Sequence, residues 1–382
     1  MVHKNNLRNY TILHTEASNG WGGQEIRIIT EAEGLIKRGH RVIITASAES
    51  QIIKEAKASG IETELLSMKR ASILFSIWRL LNIINKYNID IVNTHSSWDS
   101  WLGSIAGRLS GKKPFVIRTR HLSTPIGNNF MSRIVYDYLP DMIITTGEAI
   151  RNNMINKNHF NPDKILSIPT GIDLDKFNNE GEGTNLRNAL NVTERVPLIG
   201  MVSVLRSWKG HLYLLEAIPE VIKAFPDARF IITGDGPYKD VIEEKIRAMD
   251  IQRYIIMTGY RDDIPAILSA IDLLVFPSYA NEGVPQAVLQ AFAMGKTVIA
   301  SDVGSVSEVV LDYETGILVS PCNSKALAEN IIGLLKDKDK KEKMAAAGRR
   351  LVETQYSLEK MLDKTELLYN ELMAQKGSSF NA

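Results

Sequence analysis

Short runs of β-branched residues alternate with helix-length stretches along most of this chain, and this alternation constrains the fold more than any other feature. In the first half the runs are "NYTILHT", "HRVIITA", "IDIVNTH", "PFVIRTR" and "MIITTG". Strands separated by helices form βαβ crossovers, which place parallel strands in a sheet covered on both faces. The sequence therefore predicts an α/β fold with parallel sheets.

The alternation stops once, in a polar, glycine-containing segment between Pro169 and Pro197, and then resumes with "LIGMVSV", "RFIITGDG", "YIIMTGY", "LLVFPS" and "TVIASD". A chain of 382 residues is long enough for two domains. The last, highly charged helical segment has a periodic apolar face that needs a partner. The residues of this face are Leu358, Met361, Leu362, Leu367, Leu368 and Leu372. The predicted segments are a doubly wound domain over 1–170, a linker over 171–196, a second doubly wound domain over 197–355, and a C-terminal helix with a frayed tail over 356–382.

Charge balance and cysteine content exclude several classes of protein. The chain has 45 basic and 44 acidic residues, so no net field attracts nucleic acid. The single cysteine, Cys322, excludes an intrachain disulfide, and no His/Cys cluster has the spacing of a structural zinc site. No signal peptide and no run of about 18 apolar residues is present. We therefore expect a cytoplasmic protein with no nucleic-acid partner.

The segment "RASILFSIWRLLNIINKY", from Arg70 to Tyr87, has a helical apolar period. The pattern favours a helix that faces the core. Arginines beside the apolar stripe leave peripheral membrane binding as the alternative. The periodic residues are Ile73, Leu74, Ile77, Leu80, Leu81 and Ile84.

Ligands of open α/β sheets bind beyond the carboxyl ends of the strands, so the turns that follow strands hold the candidate site residues. In "SNGWGGQEIR", Gly22 and Gly23 offer backbone amides at the start of a helix, which suits a phosphate; a tight structural turn is the alternative. The G-x-G-x-x-G spacing is absent, which argues against a dehydrogenase. His95, Arg120 and His121 also follow strands, and they are candidates for contacts to an acceptor or a reacting sugar, or else packed residues.

Two turns of the second half carry further candidates. In "SVLRSWKGH", Arg206 and Lys209 can neutralise a diphosphate, although solvated surface cations are the simpler interpretation. In "NEGVPQAVLQAFAMG", Glu282 can accept hydrogen bonds from sugar hydroxyls. Pro285 suits the first turn of the helix that follows, and Gln290 lies about two turns further along it.

Together, "GWGGQEIRIITEAEGLIKRGHRV", "IPTGIDLDKF", "VSVLRSWKG", "ITGDGP" and "NEGVPQAVLQAFAMGKTVIASDVGSVSEVV" resemble stretches of the retaining glycosyltransferases of family four, also called group 1. The resemblance implies the GT-B fold, in which two Rossmann-like domains face a cleft and a C-terminal helix crosses back to the first domain. It also implies transfer of a sugar from a nucleotide-diphosphate sugar to an acceptor hydroxyl with retention of anomeric configuration. The resemblance further implies that no metal and no cofactor besides the donor are needed.

The same resemblance assigns roles to individual residues. Gly22 and Gly23 would approach the donor diphosphate across the cleft, and Arg206 and Lys209 would bind its phosphates. Glu282 would meet the donor sugar, and His121 would lie near the anomeric carbon. His95 and Arg120, which follow strands, are the candidates for the acceptor side. The remaining residues placed at the donor nucleotide are Gly236, Tyr260, Gly283, Val284, Pro285 and Gln290. Asp173 and Asp175 belong to the matching stretch "GIDLDKF" and are interpreted as structural, so no metal site is predicted.

One departure from the family pattern leaves alternatives open. Gln290 stands where the family usually has a glutamate that binds the ribose, and a neutral hydrogen bond is weaker than a charge-assisted one by about 1 kcal/mol. The expected substrates are a nucleotide sugar and a glycan, lipid-linked or small-molecule acceptor in polysaccharide or lipopolysaccharide synthesis, with at most peripheral attachment to the inner face of the cytoplasmic membrane. The alternatives are a catalytically silent nucleotide-sugar-binding or glycan-binding subunit and a sugar-nucleotide epimerase.

Overall fold

Parallel strands form the centre of each of the two compact units into which the chain divides. A computed structural model describes residues 9–68, 72–178, 182–280 and 282–379. Unit 1 comprises Met1–Thr170 together with Leu358–Ala382, and unit 2 comprises Gly171–Ser357.

Within its described residues, unit 1 carries a seven-stranded sheet in the order β3-β2-β1-β4-β5-β6-β7, and all neighbouring strands are parallel. The strands are β1 Thr11–Thr15, β2 Arg41–Ala46, β3 Glu62–Leu65, β4 Ile91–Thr94, β5 Phe115–Arg120, β6 Met142–Thr145 and β7 Ile165–Ser167. The helices are α1 Gly23–Lys37, α2 Gln51–Ala58, α3 Ile73–Tyr87, α4 Ser97–Leu109, α5 Phe130–Arg133 with a π-helical turn over Ile134–Tyr138, α6 Glu148–Asn156 and, from the C-terminal end, α14 Leu358–Ser379.

Successive residues of the central strands face opposite sides of this sheet, so an apolar run fills two cores. On one side, Ile12 and Ile117 pack with residues of α1, α2 and α14. On the other side, Leu13 and Val92 pack with residues of α3 and α4. The continuous apolar runs seen in the sequence are thus explained by burial on both faces.

Unit 2 has a six-stranded parallel sheet among its described residues, in the order β10-β9-β8-β11-β12-β13. The strands are β8 Leu198–Val202, β9 Arg229–Thr233, β10 Ile255–Gly259, β11 Leu273–Phe276, β12 Thr297–Ser301 and β13 Gly316–Val319. The helices are α7 Glu182–Ala189, α8 His211–Ala224, α9 Lys239–Ala248, α10 Ile264–Ala270, α11 Gln286–Ala293, α12 Ser324–Lys336 and α13 Lys338–Gln355. Both faces of the sheet again carry apolar cores.

Residues 171–196, which were predicted to form a linker, instead belong to unit 2, because their described residues pack into it. It contains α7, and Leu186 is buried in the same core as Leu274. The guanidinium of Arg187 is held by the carbonyl of Ala270 at 2.7 Å and the carboxylate of Asp272 at 2.8 Å. Gly181 of the predicted linker lies outside the described residues.

The C-terminal helix α14 packs within unit 1, against α1. Tyr369 is fully buried, and a side chain at Gly34 would come within 2.5 Å of Leu362. Arg38, just after α1, pairs with Asp363 at 2.9 Å and with Glu366 at 2.5 Å. Leu367 is the exception to the apolar face expected from the sequence, since it is 59% exposed.

Helix α3 only partly follows the core-facing pattern predicted for it. Leu80 and Ile84 are buried, whereas Ile73 and Leu74, expected on the same face, are exposed together with Phe75 and Trp78. Arg70, the first residue of the quoted segment, lies outside the described residues. The first turns of α3 thus present an apolar surface instead of a packed one.

Removal of the Tyr369 side chain tests how far unit 1 depends on α14. Tyr369→Ala is expected to lower the free energy of unfolding of unit 1 by about 3–5 kcal/mol, because a large buried ring is lost and a cavity remains. The matched control on the same helix is Leu367→Ala, which is expected to change it by less than about 0.5 kcal/mol. Denaturant unfolding measures both, and equal losses would contradict the packing described.

Candidate functional site

The strand order reverses once in each sheet, between β1 and β4 in unit 1 and between β8 and β11 in unit 2. The chain leaves these neighbouring strands in opposite directions, so a crevice opens at their carboxyl ends, and ligands of such sheets bind there. We call this position the switch point of each unit. Most of the candidate residues follow the strands at or next to these two points.

At the switch point of unit 2, Lys209 and Glu282 form an ion pair. The Lys209 ammonium donates a hydrogen bond to Glu282 Oε1 at 2.7 Å. Their side chains are 19% and 8% exposed, so the pair is mostly removed from solvent. The ammonium also lies 5.2 Å from the centroid of the Phe276 ring, which favours the cation. The structure thus joins two candidates that lie 73 residues apart in the chain.

Backbone geometry brings the two loops together. Gly210 has a positive φ of 79°, and a side chain there would lie 1.9 Å from the carbonyl oxygen of Pro277. Glycine is required at such a position because any Cβ would force the loops apart. Two residues before Gly210, in the loop after β8, the carbonyl of Trp208 accepts a hydrogen bond from Tyr279 N at 2.9 Å. The loop after β8 therefore lies directly against the loop after β11.

The pair suits a ligand that carries both an anion and hydroxyl groups. An anion can bind the Lys209 ammonium, while the Glu282 carboxylate can accept hydrogen bonds from hydroxyls. Gly283 and Val284 are buried between Glu282 and α11. Pro285 precedes α11 in an extended conformation, so it is not in the first turn as predicted.

Arg206 does not join this ion pair among the described residues. Its side chain is exposed, and its guanidinium lies 5.1 Å from the centroid of the Trp208 ring. Gly236 lies in the loop after β9, which contacts the same region because Leu205 N donates to Asp235 O at 2.9 Å. Arg206 and Gly236 therefore flank the Lys209 loop without touching Glu282.

Tyr260 and Gln290 lie further away in the fold. Tyr260 follows β10, the edge strand two places from β8, and is 58% exposed. Gln290 lies in the second turn of α11 and is half-buried. Neither forms a hydrogen bond or ion pair with Lys209 or Glu282 in the described part of the chain.

At the switch point of unit 1, three histidines form a line. His14 Nδ1 lies 2.8 Å from His95 Nε2, and His95 Nδ1 lies 3.0 Å from His121 Nε2. They come from the ends of β1, β4 and β5, which are neighbours in the sheet. Burial lowers the pKa of His14 to about 3 and holds the pKa values of His95 and His121 well below the ordinary range. The nearby charge of Arg27 acts in the same direction on all three.

The sequence patterns did not identify two residues of this switch point, His14 and Glu16, the residue directly after β1. Glu16 is fully buried, accepts a hydrogen bond from Ser18 N at 2.7 Å, and also accepts one from the amide of Gln24. Burial, reinforced by the Asp99 carboxyl, raises the pKa of Glu16 to about 8. The signal that could have found these residues is the polar sequence "HTE", which ends a buried strand just before a glycine-rich turn.

Gly22 and Gly23 lie where predicted, at the start of α1. Gly22 is the N-cap residue, and its carbonyl accepts the hydrogen bond of Ile26 N at 3.0 Å. Gln24, the next residue of α1, links this turn to the Glu16 carboxyl. The turn is thus held to the end of β1.

Arg120, predicted on the acceptor side, forms hydrogen bonds with other residues of unit 1. Its guanidinium donates to the Tyr136 hydroxyl at 2.7 Å and to the Thr124 side chain at 3.2 Å. The buried Arg118 donates to the same hydroxyl at 3.0 Å. These contacts give Arg120 a structural role in holding the chain after β5.

The Asp173 side chain binds backbone amides of the residues that follow it. Its carboxylate accepts hydrogen bonds from the amides of Asp175 at 3.0 Å and Lys176 at 3.2 Å. In the residues that the structure covers, no group of three or more His, Cys, Asp or Glu side chains is arranged to hold a metal ion.

Comparison with known proteins places both units among glycosyltransferases. Residues 183–351 match the family model for glycosyl transferases group 1, and residues 21–176 match the model for glycosyltransferase family 4. The UDP-Gal:alpha-D-GlcNAc-diphosphoundecaprenol alpha-1,3-galactosyltransferase of Escherichia coli is 29% identical over 318 residues, covering 79% of this chain and 80% of the relative. The N-acetyl-alpha-D-glucosaminyl L-malate synthase of Bacillus anthracis is 22% identical, covering 77% and 78%.

Solved structures resemble the chain over nearly its whole length. A glycosyltransferase from Rickettsia africae ESF-5 has a TM-score of 0.85 and 27% identity, and the match covers 96% of this chain and 99% of that one. Anabaena Alr3699/HepE in complex with UDP-glucose has a TM-score of 0.85 and 20% identity, with 96% and 100% covered.

The buried Glu16 carboxyl predicts a pH dependence of stability. Its pKa is raised from an ordinary 4.5 to about 8, so the folded state keeps a proton that the unfolded state releases between these values. The free energy of unfolding is therefore expected to fall as the pH rises through this window, and to fall less in Glu16→Gln. Denaturant unfolding across the window, with the exposed Glu49→Gln as control, measures the difference; identical slopes in wild type and Glu16→Gln would contradict the burial described.

Proposed function

Because the chain belongs to the group 1 and family 4 glycosyltransferases, with their GT-B fold, we propose that it transfers a sugar from a nucleotide-diphosphate sugar to an acceptor hydroxyl with retention of anomeric configuration. The parallel-sheet units and the similarity to solved glycosyltransferase structures confirm the GT-B fold that the sequence motifs predicted. The observation that carries the proposal is the Lys209–Glu282 pair at the switch point of unit 2.

Lys209 is assigned to the leaving group. When the bond between the anomeric carbon and the diphosphate breaks, negative charge grows on the departing oxygen, and a fixed cation in a mostly dry site stabilises it. Glu282 exchanges its contact with Lys209 for hydrogen bonds from the donor sugar, and the amides of Gly283 and Val284 meet the phosphates. The exposed Arg206 supplies the second cation. No cofactor besides the donor is proposed.

Retention is proposed to follow from attack on the face that the diphosphate leaves. The acceptor oxygen forms the new bond to the anomeric carbon, and its proton passes to the departing phosphate oxygen, so no side-chain nucleophile is needed. The Escherichia coli relative is named for an alpha-1,3 product, and a Streptomyces kanamyceticus relative, 30% identical over half of each chain, is an alpha-D-kanosaminyltransferase. These α products support retention, because common sugar nucleotides carry an α-linked sugar.

We propose a lipid-linked glycan as the acceptor, in cell-surface polysaccharide or lipopolysaccharide synthesis at the inner face of the cytoplasmic membrane. The Escherichia coli relative acts on a diphosphoundecaprenol-linked sugar. In this chain the apolar first turns of α3 supply a membrane contact, with Leu74, Phe75 and Trp78 more than half exposed. No helix among the described residues is long and apolar enough to cross a membrane, so the proposed attachment is peripheral.

Substitution of the ion pair tests the proposed donor chemistry. Lys209→Ala is expected to lower kcat about 10²- to 10³-fold, because the charge on the departing diphosphate loses its cation. Glu282→Ala is expected to abolish transfer, because the contact with the donor sugar is lost. Nucleotide release from a panel of nucleotide sugars, with and without lipid-linked acceptors, measures turnover. The control is Lys223→Ala, which removes an exposed lysine of α8 paired with Glu220 at 2.9 Å and should retain wild-type turnover.

The same assay separates the alternatives. Normal turnover in both Lys209→Ala and Glu282→Ala contradicts the assignment of the site. Binding of a nucleotide sugar without nucleotide release under any condition indicates a binding subunit, and interconversion of the free donor indicates an epimerase.

The α3 surface predicts binding to anionic membranes. Phe75→Glu combined with Trp78→Glu is expected to weaken cosedimentation with phosphatidylglycerol-containing vesicles at least about tenfold, because two exposed aromatic side chains no longer enter the interface. Leu109→Glu changes an apolar residue of α4 that is 66% exposed, and it serves as the control. Absence of wild-type binding, or equal weakening in the control, would exclude this surface.

A further inference from the structure

The three-histidine line at the switch point of unit 1 adds His14 and His95 to His121, the histidine that the family resemblance places near the anomeric carbon. His14 and His95 are buried, and His121 is half-buried. His95 uses both ring nitrogens, accepting or donating toward His14 on one side and toward His121 on the other. The state of the outermost ring is therefore tied to the two rings behind it.

Proton positions along the line follow from hydrogen-bond chemistry. Burial keeps all three rings neutral near pH 7, so each carries one N–H. A neutral imidazole donates with one nitrogen and accepts with the other. The two hydrogen bonds therefore run in the same direction, either from His14 toward His121 or from His121 toward His14.

The inner end of the line decides the direction. His14 Nε2 is buried and has no hydrogen-bond partner among the described residues. A buried N–H without a partner is rarer than an unpaired acceptor. A lone pair at Nε2 therefore fits, His14 donates from Nδ1 to His95, and His95 donates from Nδ1 to His121.

Donation from His14 toward His121 allows only one neutral tautomer of His121. Its Nε2 accepts from His95, so its hydrogen must be on Nδ1, which makes no hydrogen bond among the described residues. We propose that His14 and His95 are positioning residues that hold His121 as the Nδ1–H tautomer, so that it presents a hydrogen-bond donor to the substrate. The proposal rests on the proposed function for the identity of that substrate, but not for the tautomer.

A metal site is the other use of three histidines, and the geometry opposes it. Metal ligands converge on one point with nitrogen about 2.0–2.1 Å from zinc. Here the nitrogens at 2.8 and 3.0 Å bond to one another in sequence, and the middle ring faces a different partner at each end. The line therefore fits control of a tautomer.

Imidazole nitrogen NMR on the full chain labelled with ¹⁵N-histidine tests the proposal directly. Signals of His121 are assigned by their loss in His121→Asn. The wild type is expected to show a protonated Nδ1 and a bare Nε2 at His121, the less common tautomer of a free imidazole. In His95→Phe the donor to Nε2 is lost, and His121 should shift toward the Nε2–H form.

A conservative variant separates positioning from packing. The side-chain amide nitrogen of Asn stands where imidazole Nδ1 stood, so His95→Asn can still donate to His121, whereas His95→Phe cannot. His95→Asn is therefore expected to retain the Nδ1–H tautomer. An Nε2–H His121 in the wild type, or an unchanged His121 spectrum in folded His95→Phe, would overturn the proposal.

Turnover supplies the second readout, with release of nucleotide from the same panel of nucleotide sugars, UDP-galactose among them, as the probe. His95→Phe is expected to lower kcat about 100-fold with little change in KM, because one oriented donor is lost, and His95→Asn should recover most of the rate. The exposed His159→Asn is the control. If the wild type releases no nucleotide, the proposed function fails while the NMR result still decides the tautomer; equal rates in His95→Phe and His95→Asn would contradict positioning.

Discussion

The ion pair between Lys209 and Glu282 depends on the close contact between two loops where the strand order of unit 2 reverses. Strands β8 and β11 are neighbours in the sheet, so the segments that leave their carboxyl ends begin side by side. The Pro277 carbonyl occupies the space that a side chain at Gly210 would need, and this contact fixes the position of Lys209. The charged pair at this point suits an anionic, hydroxylated ligand.

Unit 1 uses the same topology with different chemistry. Its switch point holds buried imidazoles that stay neutral, next to a Glu16 carboxyl whose pKa is raised by burial. The Lys209–Glu282 ion pair, by contrast, lies at the switch point of the unit that we assign to the diphosphate. In unit 1, neutral hydrogen-bonding groups are held in fixed directions, which suits the orientation of hydroxyl groups more than the binding of an anion.

Much of the architecture could be predicted from the sequence, because β-branched runs separated by helical periods specify parallel sheets locally. Lys209 and Glu282 could be found because each follows a strand, but their pairing depends on strand order, which no local pattern encodes. His14 was missed because it lies inside an apolar strand run. The segment that contains α7 was interpreted as a linker because it is polar and contains several glycines, and no local pattern shows that Arg187 donates to the carbonyl of Ala270. Burial of such residues is decided by distant parts of the chain.

The central claim is that the switch point of unit 2 binds the diphosphate of the donor. The most direct measurement is a crystal structure of the wild-type chain with uridine diphosphate. The account predicts a phosphate oxygen about 3 Å from Lys209 Nζ, in place of or beside the Glu282 contact. A diphosphate bound away from the ends of β8 and β11, with the Lys209–Glu282 pair undisturbed, would contradict it.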